Sequence, residues 1–177
     1  DNSFFQHVNA IDSQFVEIEN NLNSLENLYS QRARILTSFL DDKNLESNIE
    51  SATAQISKQL TILKGKLSQS IQHTSSKELS LIEKNMSKGY LSRLRDLSLR
   101  FREMQSTYLK NLNEAKARAE TKYGDGVDDD ELEDIDVGFT GQQAAMVMEQ
   151  QLRNERMNEE VAALYRQMNE VQALFAD

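Results

Sequence analysis

The sequence predicts an all-α fold: an antiparallel three-helix up-down bundle, then an acidic linker, then a fourth, partial helix. Two observations carry this. The 177 residues include no proline and only six glycines, the two residues that helix interiors tolerate worst. Apolar residues also recur in steps of three and four through most of the chain, the spacing that puts them on one helix face. A hydrophobic content of 38% with 28% charged residues suits helices that each carry one apolar stripe. The expected organisation is a bundle over 1–123, a linker over 124–138 and the start of a coiled-coil helix over 139–177.

In the first segment Phe4, Val8, Ile11, Phe15, Ile18, Leu22, Leu25 and Tyr29 alternate in steps of four and three, an unbroken heptad stripe. Ser3 and Gln6 have the spacing of a capping box at its start. The pattern fades after Leu36 and Phe39, and Asp41-Asp42-Lys43-Asn44 reads as a polar turn. The second segment carries Leu45, Ile49, Ala52, Ile56, Leu60, Leu63, Leu67 and Ile71. Gly65 lies inside it, at a cost of roughly 1 kcal/mol relative to alanine. A break follows at His73-Thr74-Ser75-Ser76, where Ser75 and Glu78 form a second capping box.

The third segment, from about Lys77 to Tyr123, places Leu79, Ile82, Met86, Tyr90, Leu94, Leu97, Phe101, Met104, Tyr108, Leu112 and Ala115 on one face. At 1.5 Å per residue it is the longest element, roughly 65–70 Å. Eight acidic residues then fall between Gly124 and Gly138. Like charges repel and little apolar surface is present to offset ordering entropy, so this stretch is expected to be irregular and the first site of proteolytic cutting. Its acids lack the alternating ligands, central glycine and twelfth-position glutamate of a calcium loop, counted from Asp125 or Asp128. The fourth helix is expected to open with a capping box, Thr140 and Gln143, and a staple between Phe139 and Ala144. Val161, Leu164, Met168, Val171 and Phe175 then step 3-4-3-4. The stripe reaches Asp177 in mid-pattern, as expected of a fragment of a longer helix.

Charge is unevenly spread. The net charge of −9 divides into −5 for 1–42, +2 for 43–75, +5 for 76–123, −8 for 124–138 and −3 for 139–177. Overall acidity argues against nucleic acid as a partner, because neutralising phosphates requires a basic surface. With no cysteine, disulfides, thiolate nucleophiles and thiolate metal sites are excluded. His7 and His73 lack the Glu-x-x-His or His-x-x-x-His spacing of helical metal sites. Phosphate-binding glycine loops and Gly-x-Ser-x-Gly elbows are absent from the sequence. Neither a cofactor, a small-molecule substrate nor a catalytic residue is expected; the reading is of a non-enzymatic interaction protein.

The layout resembles a syntaxin: a three-helix Habc domain, an acidic linker and the beginning of a SNARE motif. Phe139-Thr140-Gly141-Gln142-Gln143, followed by a Glu/Gln/Arg-rich stretch, is similar to the entry to that motif in the syntaxin-16-like branch of the trans-Golgi network and endosomes. The run from Met168 to Asp177, ending Leu174-Phe175-Ala176-Asp177, resembles the syntaxin pattern of a small apolar heptad closed by Leu-Phe-x-Asp. Ser106-Thr107-Tyr108-Leu109-Lys110 is similar to the matching part of helix three. The resemblance implies that Val161, Leu164, Met168, Val171 and Phe175 are amino-terminal hydrophobic layers of a Qa-SNARE helix, the interface with other SNARE helices.

In such proteins four SNARE motifs zip into one parallel bundle, burying apolar seams at about 25 cal/mol per Å² and drawing membranes together. The resemblance further implies an autoregulatory Habc domain, binding to an SM-family (Sec/Munc-like) regulator, a place on the cytosolic face of trans-Golgi network or endosomal membranes, and a membrane anchor beyond Asp177. The central glutamine of the class would fall about ten residues past Phe175 on heptad spacing. A coiled-coil tether or adaptor would share the heptads, but it would not require a linker followed by a freshly capped helix. A membrane-curvature bundle would use the basic 76–123 face, against the overall acidity.

The charge distribution also bears on docking of the fourth helix. At −3 it is attracted to helices two and three and repelled by helix one, so a folded-back form is expected to use the groove between two and three. A fifteen-residue flexible chain spans roughly 20–23 Å on average, enough to turn around a helix end.

Overall fold

The computed structural model of the chain describes residues 2–38, 42–72, 77–124 and 141–176. They form α1 (Asn2–Ser38), α2 (Lys43–Gln72), α3 (Lys77–Gly124) and α4 (Gly141–Ala173). Gly124, expected to open the linker, is the last residue of α3; linker residues 125–138, the predicted serine and threonine caps of α3 and α4, and the turn at 73–76 lie outside the described residues.

Side-chain pairs fix the directions. Asn21 donates to Gln59 at 2.9 Å and Arg32 pairs with Glu46 at 2.9 Å, so α1 and α2 are antiparallel. Tyr90 donates to Asp12 at 3.1 Å, Arg93 to Glu19 at 2.9 Å and Arg100 to Asn23 at 2.7 Å, so α3 runs alongside α1 in the same direction. The charge imbalance between α1 and α3 is thus used in register, although exposed pairs of this kind contribute only about 0–1 kcal/mol each.

The core follows the stripe of α1 closely. Ile11, Phe15, Ile18, Leu22, Leu25 and Tyr29 are all buried, against Leu45, Ile49, Ile56, Leu60, Leu63 and Leu67 of α2 and Leu94, Leu97, Phe101, Tyr108 and Leu112 of α3. Phe15 stacks on Tyr90 with ring centres 5.5 Å apart, and the Arg93 guanidinium lies over the Phe15 ring at 4.5 Å. At the other end Tyr29 stacks on Tyr108 at 4.2 Å. In the turn before α2, Asp42 is the N-cap: its Oδ1 accepts from the Leu45 amide at 3.1 Å, and its carbonyl accepts the first helical bond from Glu46.

The α3 stripe differs from expectation in two places. Ile82 is 58% exposed. The buried line here passes through Ser87 and the half-buried Leu91, one residue ahead of Met86 and Tyr90, and each residue turns the helix by about 100°. Further on, a second line through Ser98, Gln105 and Leu109 is also buried. On it, Gln105 meets the fourth helix.

α4 packs against α3 and α2 and not directly against α1. It therefore occupies the groove that the charge distribution favours. Tyr108 meets Glu160, Gln105 meets Gln167, and Arg102 meets Gln172, so α4 is antiparallel to α3 and completes an up-down-up-down arrangement. After Ala173 the backbone tightens: Leu174, Phe175 and Ala176 donate to carbonyls three residues back, as at helix ends where i+4 donors run out.

Candidate functional site

The apolar seam of α4 lies on the bundle. Leu164 is 5% exposed and Val171 1%. Val161, Met168 and Phe175 are partly buried against the same core. The structure thus brings all five expected interface residues to one surface, the α2–α3 groove. Met157, one heptad step before Val161, is buried as well and extends the seam upstream; its spacing would have revealed it. Phe175 sits between two cations, with Lys64 Nζ 5.7 Å and the Arg95 guanidinium 5.8 Å from its ring centre.

A polar cluster closes the upper end of this interface. Arg32 of α1 occupies the heptad position after Tyr29 and is 3% exposed. Its Nη2 pairs with Glu46 at 2.9 Å and with Glu160 of α4 at 3.3 Å. The other oxygen of Glu160 accepts a hydrogen bond from the Tyr108 hydroxyl at 3.0 Å. One carboxylate on α4 is therefore held from both α1 and α3. Burial opposes the Arg32 cation and is its largest single influence, but Glu160, Tyr108 and Glu46 together outweigh it, so the guanidinium pKa is raised. Burial, reinforced by Glu160, pushes both the Tyr29 and Tyr108 hydroxyls above the ordinary tyrosine range.

Below the cluster, Gln105 is fully buried and donates to Gln167 at 3.3 Å, while its own carbonyl oxygen has no protein partner. Arg102 donates to Gln172 at 3.2 Å. A cleft of about 530 Å³ opens beside Glu160, between the first turns of α2 and the second half of α4, lined in part by Lys43, Glu46, Glu50, Arg156 and Arg166. Its mixed charges show no convergent catalytic arrangement. Among the described residues, His, Asp and Glu do not gather in a group of three or more that could hold a metal ion. Among the same residues, no helix is long and apolar enough to cross a membrane.

Arg32, Glu160, Gln105 and Gln167 were not expected from the sequence. Arg32 had a signal, a charge in seam register. The glutamines and Glu160 had none, because polar residues beside a heptad stripe look like solvated flank.

No family model matches the chain. It is 29% identical over 175 residues to the t-SNARE affecting a late Golgi compartment protein 2 of Schizosaccharomyces pombe, a match that takes in 94% of the chain and 56% of that protein. The chain thus spans little more than half the length of the curated relative it matches. That relative is named as a t-SNARE. In the local wording of residues 139–177, the helical architecture of the described residues and a match along nearly its whole length, the chain is similar to a late-Golgi t-SNARE.

Proposed function

We propose that this chain is the regulatory bundle and first coupling segment of a t-SNARE acting in intracellular vesicle fusion. Residues 1–123 serve as the regulatory bundle, 124–138 as the linker, and 139–177 as the amino-terminal part of the helix that zips with other SNARE helices. The observation that carries the reading is the position of the α4 seam. Leu164 and Val171, which by resemblance are layer residues, are with Met157 the most deeply buried residues of that seam on the bundle. They cannot face the bundle and three partner helices at once, so the docked form is closed to assembly and the bundle is autoregulatory. The late-Golgi name of the relative supports a place on the cytosolic face of trans-Golgi network or endosomal membranes. Binding to an SM-family regulator rests on the resemblance alone.

The test is assembly. The protein is mixed with a panel of recombinant late-Golgi and endosomal SNARE helices, and complex formation is followed by native gel and by the gain of helical circular dichroism. The reading expects one combination to form a helical complex that Leu164→Asp or Val171→Asp prevents. If no combination assembles, or if assembly ignores both charge substitutions, the SNARE reading fails and a tether that binds through other surfaces takes its place.

A further inference from the structure

The docked face of α4 is not symmetric about its seam. With Val161, Met168 and Phe175 at heptad position a and Leu164 and Val171 at d, residues 160, 167 and 174 fall at g and residues 158, 165 and 172 at e. The g flank turns inward: Glu160 is bonded to Arg32 and Tyr108, Gln167 to Gln105, and Leu174 packs on the core. The e flank turns outward: Asn158 is exposed and Tyr165 is 50% exposed, and Gln172, exposed as well, meets only Arg102 at the rim of the groove. The a and d residues would be needed in either state of the helix. The inward g flank belongs to the docked state.

We infer that Glu160, with Gln167 as a lesser partner, is a specificity-determining latch that favours the docked form without contributing to the seam used in assembly. This rests on the closed-state reading above and assigns its control to particular residues. Glu160 suits the role because it is the point where α4 is tied to α1, although the two helices do not pack. Releasing it removes two charge-assisted hydrogen bonds and leaves Arg32, nearly fully buried, with less compensation. Hydrogen bonds to charged groups carry enough free energy to shift such an equilibrium about ten- to hundredfold; a neutral amide pair such as Gln105–Gln167 shifts it about two- to tenfold.

The experiment uses distance labels. The chain has no cysteine, so Glu103→Cys on α3 and Asn169→Cys on α4, both exposed, give one defined pair. The unaltered background should show a short, narrow distance. Glu160→Ala should raise the undocked fraction about ten- to hundredfold and Gln167→Ala less. Tyr108→Phe keeps the stack on Tyr29, leaves α4 unaltered and should open it in the same direction. Thermal melts of all three should retain a cooperative helical transition. With partner helices added, Glu160→Ala and Tyr108→Phe should assemble faster, while the finished complex melts within a few degrees of the unaltered one. Leu164→Ala, by contrast, should open α4 and also weaken the complex. A docked fraction unchanged by Glu160→Ala overturns the inference, as does a finished complex weakened by Glu160→Ala as much as the docked form is. Broad distances in the unaltered background overturn both the latch and the closed-state reading. Opening by Glu160→Ala without assembly by any variant sustains the latch and sinks the SNARE reading alone.

Discussion

Replacing Gln105 by leucine should make this protein more stable, although the change deletes a hydrogen bond. Gln105 has no exposed surface, its amide nitrogen reaches Gln167 at 3.3 Å, and its carbonyl oxygen has no partner in the protein. A buried acceptor left unmade costs about 1–3 kcal/mol, and a neutral hydrogen bond contributes about 0.5–1.5 kcal/mol net. Leucine removes the first term and forfeits the second. Gln167 lines the cleft beside α4 and can turn its amide to water. Leucine is of similar size, so the site neither empties nor overfills. The balance is a gain of about 1 kcal/mol, or about 2–4 °C in Tm for a chain of this length.

The assay is a melt followed at 222 nm, paired with a urea titration to test that the slope is unchanged. Gln105→Ala should lose about 2 kcal/mol to the cavity. Gln105→Glu should lose more, because it buries a charge without an opposite partner. A fall in Tm of 2 °C or more for Gln105→Leu would refute the reasoning. It would mean that the carbonyl is satisfied by an ordered water that leucine expels.

Three other outcomes are expected. At Gly65 an added Cβ would meet nothing within 4 Å, so Gly65→Ala should stabilise α2 by up to about 1 kcal/mol, and a lower urea midpoint would contradict this. Asp42→Ala removes the side-chain acceptor of the Leu45 amide and should cost about 1 kcal/mol; Asp42→Asn should recover most of it, and an unaltered melt for the alanine variant would count against the cap. Because the folded state holds Tyr29 and Tyr108 protonated beyond the ordinary range, the unfolded chain binds fewer protons above about pH 10, and stability should fall as pH rises from there. Following tyrosinate absorbance together with helicity tests this; full ionisation of all five tyrosines with the helical signal intact would be the contrary result.

Parts of this architecture were legible in the amino-acid pattern, and the reason differs by helix. The α1 stripe from Ile11 to Tyr29 could be read residue by residue because every position in it is apolar and buried. One face of α3 could be read in the same way from Leu94 to Ala115, where all but the half-buried Met104 are buried, but not at Ile82. Its second face could not, because Gln105 occupies a position where α4 meets it. Arg32 broke the α1 pattern where the pattern in fact continues, since a charge can take a core position when carboxylates and a hydroxyl meet it there. On α4 the seam was visible from periodicity, and the charge balance between segments pointed to its groove. The inward g flank was invisible, because glutamate and glutamine beside a stripe carry no hydrophobic signal.

The antiparallel course of α4 along α3 also gives the docked helix a direction of weakness. Met157 and Phe175 mark the two ends of its buried seam, about 27 Å apart along the axis, with Glu160 near the first of them. A pull applied at the Phe175 end loads the attachments in sequence. First comes a ring held between Lys64 and Arg95, then Gln172, Val171, Met168 and Gln167, and only near the end the carboxylate held by Arg32 and Tyr108. That is peeling, in which each weak rung yields alone. A pull applied at the Gly141 end meets Met157 and then the strongest rung, before any of the weaker ones is loaded. The same interface therefore resists force unequally from its two ends: it gives way readily from Phe175 and holds from Gly141.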